Sequence, residues 1–392
     1  MPALPAAAEP ARIDALDGLR GIAILLVVLF HALFFDPGLI GSGPPGDSLY
    51  LRVVTLGWCG VDVFFVLSGF LITGILLRAR GCPRYFTTFY ARRALRIFPL
   101  YYVVVVALLF VLDRPPATAA EKASYLLYYQ NVRFALFGEL QFDPARLVTW
   151  SLAIEEQFYL VWPAVVWWCG RRTLVRICAI AIVLSIALRL WLLAEGLQTT
   201  HFLTPCRLDA LATGALFALV GTPPRIAGWV AAVVGAAGLL IVTATTGQPW
   251  PESIGMQRYG LLAALVFAAG LFVTVRAGGW PAWVCRVGPL RSLGRYSYCI
   301  YLVHFLVVEW LARSAAELSP PTKQWLVAHG SPLAIQIVFA LVALLASWGI
   351  GFVSWHAFEK WFLACKRFFP SVGEGGAAAG AGSVSRPTGG GE

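Results

Sequence analysis

Long apolar stretches alternate with short polar connections ten times along this chain. The stretches run over about 20–35, 55–77, 92–112, 150–169, 174–194, 205–221, 226–245, 258–276, 296–313 and 333–363. A helix needs about 20 apolar residues to cross a hydrocarbon core ~30 Å thick, and each stretch reaches or nearly reaches that length. The pattern predicts an all-α integral membrane protein of about ten transmembrane helices. The first stretch is short, but no small-residue cleavage site follows it, so it reads as a retained span and not a signal peptide.

The polar segments divide the chain further. Residues 1–11 are Pro/Ala-rich and residues 371–392 are Gly/Ala/Ser-rich, so both are expected to be disordered tails around one membrane domain at 12–363. Residues 113–149 form the longest connection. With Tyr125, Tyr128 and Tyr129, it is expected to fold as a short interfacial helix over a site. No second folded domain is expected after the last span.

Charge adds an orientation. With the N-terminus in the cytoplasm and ten spans following, 20 of the 30 Lys and Arg fall on the cytoplasmic side. Of the 20 acidic residues, 14 fall in outer loops or the outer half of a span. The positive-inside bias therefore predicts both termini in the cytoplasm. The composition agrees: 59% of residues are hydrophobic and 13% charged, with a mean hydropathy of +0.75. The net charge of +10 is then a topology signal. It is no sign of nucleic-acid binding, because no soluble face is long enough to carry it. The eight cysteines show no C-x-x-C pair and no zinc-like spacing, so no metal site is expected. Cys59 and Cys206 both fall near the outer side, where a disulfide between them is one option.

Ionisable residues inside such stretches are costly, and that makes them candidates for function. Arg20 and His31 are eleven residues apart, about three helical turns, so they share a face of the first span. This spacing predicts Arg20 at the membrane edge and His31 near the middle. Arg295 and His304 repeat the theme in the ninth span. Asp62 sits among Val and Phe in the second span and needs a partner or water. Beside it, Ser68 and Gly69 permit close helix approach. Arg93 and Arg96 share a face at the entry to the third span. They suit either a positive-inside anchor or a clamp for a polyphosphate. Glu155, Glu156 and Tyr159 open the fourth span, where two adjacent carboxylates are hard to explain as anchors. Arg207 and Asp209 enter the sixth span from the same side, as a salt bridge or as site residues. Ser297, Tyr301 and His304 line one stripe of the ninth span, as a helix contact or as a cavity wall.

Five motifs resemble one family. R-x10-H in the first span, G-V-D-x-F-F-x-x-S-G-F in the second and R-x-x-R-I-x-P-x-Y in the third are similar to the acyltransferase-3 family of integral-membrane O-acyltransferases. So are W-S-L-x-x-E-E-Q-F-Y in the fourth and G-x-x-S-Y-x-x-Y-L-x-H in the ninth. The resemblance covers residues 12–363. It implies a ten-helix enzyme of the bacterial cytoplasmic membrane that moves an acetyl or other short acyl group from acyl-CoA, usually acetyl-CoA. The implied acceptors are hydroxyls of cell-envelope glycans, lipid-linked sugars or antibiotics. Some members carry a fused esterase-like domain outside the membrane. This sequence has none, so the stand-alone type is expected.

The residue chemistry fits that reaction on its own terms. A sugar hydroxyl needs a base to attack a thioester, and histidine titrates nearest neutrality. His31 is the expected base, with Glu155 and Asp62 in the catalytic set. Arg20, Arg93 and Arg96 are expected to hold the donor's phosphates. Glu156, Tyr159, Arg207, Asp209, Ser297, Tyr301 and His304 are expected to bind substrate. No G-x-S-x-G or Cys/His pairing suggests an acyl-serine or acyl-cysteine route, while a transient acyl-histidine stays open. The alternative class is a secondary transporter or flippase for a glycolipid or anionic metabolite, with His31 and Asp62 as a proton relay. It lacks the internal repeat and the paired broken helices expected of that class.

Overall fold

The computed structural model describes residues 10–34, 54, 56–112, 116–137, 143–247, 253–329 and 331–370. Each predicted stretch corresponds to one helix: α1 Pro10–Phe34, α2 Gly60–Ala79, α3 Tyr85–Val106, α4 Trp150–Trp168 and α5 Arg171–Ala194. There follow α6 Leu208–Val220, α7 Arg225–Thr246, α8 Leu261–Arg276, α9 Gly288–Ala316 and α10 Pro332–Ser354. Among the described residues, eight helices are long and apolar enough to cross a membrane. The two others are the shorter α6 and α4, which carries Glu155 and Glu156. Exposed apolar side chains such as Val183, Ile226 and Leu345 cover the outside of helices whose inner faces are also apolar. A helix apolar all round belongs in lipid.

Three helices begin earlier than hydropathy alone predicts. Hydropathy falls where the first charges appear, but arginine, alanine and leucine continue a helix well. α1 therefore starts at Pro10, α3 at Tyr85 and α9 at Gly288, the last with a proline in its first turn. Arg20 is thus ten residues into α1, and His31 lies in its last turn.

The basic connections collect at one end of the bundle. Arg80, after α2, donates to Cys169 O after α4 at 2.8 Å, and Arg171 Nε donates to Leu219 O at the end of α6 at 2.8 Å. Arg225, at the start of α7, lies against Gly279 after α8. Arg291 pairs with Asp14 of α1 at 2.9 Å, and Arg92 donates to Phe369 O beyond α10 at 2.9 Å. At the other end the connection before α4 meets the one before α6, where Asn131 donates to Phe202 O at 3.0 Å.

Glycine sets the contact that matters most for the site. A Cβ on Gly21 would lie 2.0 Å from Leu290 O, and one on Gly294 would lie 1.7 Å from Asp17 O. α1 and α9 therefore run side by side with their backbones nearly touching. Gly69 and Gly214 do the same for α2 and α6.

The long connection before α4 differs from the expected single helix. It forms three short ones, Ala119–Leu126, Gln130–Phe137 and Pro144–Leu147. They are pinned by a buried Arg146–Glu121 pair at 3.1 Å and by Gln130, which donates to Tyr101 Oη and Thr149 O. Cys59 and Cys206 are both buried free thiols.

Candidate active site

A cavity enclosing about 840 Å³, its open mouth included, lies between α1, α2, α3, α4 and α9. Eight of the residues expected at the site line it: Arg20, Arg93, Arg96, Glu155, Glu156, Tyr159, Ser297 and Tyr301. The arginines and the carboxylates, expected on opposite sides with His31 between them, share this one chamber. The reason is depth: α3 enters from the basic end and α4 from the other, so Arg93 and Glu155 meet inside the bundle.

Glu155 organises the chamber wall. Its Oε1 accepts from Ser68 Oγ at 2.8 Å, and its Oε2 accepts from Tyr159 Oη at 2.8 Å. Arg93 lies over the Tyr159 ring, 5.4 Å from its centroid, and Arg96 over that of Trp355 at 5.9 Å. Stacking of this kind holds a guanidinium flat without using its donors. Arg20 is bonded to Asp17 at 3.0 Å, with about a third of its side chain exposed. Glu156 lines the chamber and has no hydrogen-bond partner among the described residues.

Tyr301 closes the far wall. Its hydroxyl bonds Ser151 Oγ at 2.6 Å and donates to Val148 O at 2.9 Å. The Ser297 hydroxyl donates to Gly294 O of its own helix. Beyond Tyr301, the rings of His304 and His31 lie with centroids 4.9 Å apart, and His304 Nε2 is 3.1 Å from His31 Nδ1. Arg295 is exposed and outside the chamber.

Asp62, Arg207 and Asp209 do not line the cavity. Asp62 accepts from Arg207 at 2.9 Å and Asp209 from Arg189 at 3.0 Å, with all four side chains almost fully buried. The two pairs cancel in charge, and Arg207 stacks on Phe65, itself a wall residue, 5.4 Å from the ring centroid. Arg189 escaped the sequence reading, although a lone arginine in an apolar stretch is itself a signal. Ser68, read there only as a small residue for close packing, faces Glu155. Trp355 carried no signal that could have joined it to Arg96. His201, in the connection before α6, packs against Trp150 and Phe202. Burial, and then Arg207, push its imidazole down to about 3, which leaves it uncharged.

Residues 13–352 match the acyltransferase family 3 profile, described as an acyltransferase domain. The chain is 29% identical over 339 residues to the peptidoglycan O-acetyltransferase OatA of Listeria monocytogenes, covering 79% of this chain and 51% of that protein. It is 30% identical over 382 residues to the putative peptidoglycan O-acetyltransferase YrhL of Bacillus subtilis, covering 89% and 54%. It is 25% identical over 337 residues to the O-acetyltransferase OatA of Staphylococcus aureus, covering 76% and 51%. The chain thus spans about half the length of the curated relatives it matches. No solved structure is significantly similar to it.

Proposed function

Because the chain belongs to the acyltransferase-3 family, we propose that it transfers an acetyl or other short acyl group from acyl-CoA to a hydroxyl of a cell-envelope glycan such as peptidoglycan. The observation that carries this reading is the chamber itself. Three arginines crowd one cavity, and a histidine pair lies just past its far wall. Arg20 and His31 are separated by about 16 Å along α1 at 1.5 Å per residue, a span that an extended pantetheine arm covers. Phosphates held at Arg20, Arg93 and Arg96 would therefore place the thioester toward His31.

His31 then takes the proton of the acceptor hydroxyl. The hydroxyl oxygen attacks the thioester carbonyl, the C–S bond breaks, and the departing thiolate takes the proton from His31 to leave as free CoA. Glu155 acts through Ser68 and Tyr159 as an organiser of the wall. Glu156 is the carboxylate open to substrate. The buried pairs of Asp62 with Arg207 and of Asp209 with Arg189 hold α2, α5 and α6 in place. Purified protein in lipid vesicles should move label from radiolabelled acetyl-CoA to peptidoglycan fragments, with one CoA released per label transferred. Exchange of a glycolipid or anionic metabolite across the bilayer, with no label transferred, would favour a transporter instead.

The arginines give a sharper expectation. Arg93→Ala or Arg96→Ala should weaken CoA binding by about 1.5–3 kcal/mol, the worth of a charge-assisted contact. Lysine should restore little, because it stacks poorly and lacks the planar fork. Isothermal titration against CoA measures this, and unchanged affinity would leave these arginines as topology anchors.

Sidedness follows from the same charges. The basic end is assigned to the cytoplasm, with both termini there. In sealed vesicles of known orientation, acyl-CoA should be consumed only from the basic end. An Ala120→Cys probe, exposed in the connection before α4, should label only from the opposite side. Labelling of that introduced thiol from the CoA side would overturn the assignment.

A further inference from the structure

His304 is fully buried in α9, outside the cavity lining. Its Nδ1 lies 2.8 Å from Tyr301 O and 3.2 Å from Ile300 O. Carbonyl oxygens only accept, so Nδ1 carries the hydrogen and the neutral ring keeps its lone pair on Nε2. That nitrogen faces His31 Nδ1 at 3.1 Å. His31 Nδ1 is also 2.9 Å from Val27 O, so it too carries a hydrogen, shared between Val27 O and His304 Nε2. The lone pair of His31 is left on Nε2, which has no hydrogen-bond partner among the described residues.

We propose that His304 is a positioning residue: it holds His31 in the Nδ1–H tautomer, so that Nε2 is the nitrogen that removes the acceptor's proton. This rests on the reading of His31 as the base. Val27 O alone is a poor guide, since it belongs to the preceding turn of the same helix and leaves the ring free to tilt. The acceptor from α9 fixes the ring plane from a second direction, while Phe305 holds its edge at 5.3 Å between centroids. When His31 is protonated, the bond to His304 Nε2 becomes charge-assisted and stabilises the cation formed as the hydroxyl proton moves. When the thiolate takes that proton, His31 returns to its starting tautomer. Helix packing does not call for the pair, because Gly21 and Gly294 already bring α1 and α9 into contact.

Glutamine and asparagine separate positioning from structure. A glutamine amide oxygen sits about where Nε2 of histidine does and can accept from His31. Asparagine ends near Nδ1 and can bond only the backbone of its own helix. His304→Asn should lower kcat by about 10–100-fold, as loss of the hydrogen-bond partner that orients a metal-ligating histidine does, with KM for acyl-CoA unchanged. His304→Gln should recover about ten-fold over the asparagine variant. His304→Phe, which keeps the ring volume, should behave like asparagine and serves if the asparagine variant does not fold. Equal kcat for the glutamine and non-accepting variants, or a loss confined to KM, would overturn the proposal. A His31→Ala variant run alongside separates the two failures. If it stays active, the reading of His31 falls and His304 with it. If it is inactive while glutamine brings no recovery, only the role of His304 falls.

Discussion

His31→Ala is expected to lower acyl transfer by about 10²–10⁴-fold, the range for losing a general base, while the protein still inserts and folds. The fold should survive because His31 is only half-buried, in the last turn of α1. The closest backbone approach of α1 to α9 is at Gly21 and Gly294, well away from His31 along the helix. Binding of CoA should be unaffected, since the arginines lie in the chamber and His31 outside its lining. Single-turnover release of CoA measures the first quantity and CoA titration the second. Near-normal turnover would remove His31 from the mechanism. Weakened CoA binding with intact turnover would point to a donor-binding role instead.

The second large effect is on stability. Asp62→Ala should destabilise the protein by about 3–5 kcal/mol, because it leaves the Arg207 guanidinium buried without its counter-charge. Arg207 is 1% exposed and its hydrogen bond to Asp62 is 2.9 Å long. Replacing both, as Asp62→Leu with Arg207→Met, should cost far less than the single change, since no orphaned charge remains. Unfolding in detergent, followed by intrinsic fluorescence, tests the pair. If Asp62→Ala is as stable as the parent but inactive, Asp62 belongs to the chemistry and not to the scaffold.

The helices were legible in the sequence because crossing a membrane is a local demand, met by each apolar stretch by itself. Their starts were less so. Helix continues through Pro10–Leu19 and Tyr85–Ala91 on propensity after hydropathy has fallen away. The long connection before α4 was readable as helical. Its three short helices depend on distant partners such as Tyr101 for Gln130, which no local pattern reveals.

By itself the sequence determined which residues carry a cost. An arginine, aspartate, glutamate or histidine in an apolar stretch must be desolvated wherever it ends up, and that penalty can be read from its neighbours in the chain. Only the tertiary structure decided how each cost is met. Asp62 and Glu155 look alike in sequence, each an acid within a span. Asp62 is neutralised by Arg207, 145 residues away, whereas Glu155 is held by hydroxyls at the wall of an open chamber. Arg93 and Glu155 share that chamber because α3 and α4 enter the bundle from opposite ends. His31 meets His304 because glycines let α1 and α9 touch. Choice of partner is a long-range property of packing, and the same local signal can therefore end in a salt bridge, a cavity wall or a pair of imidazoles.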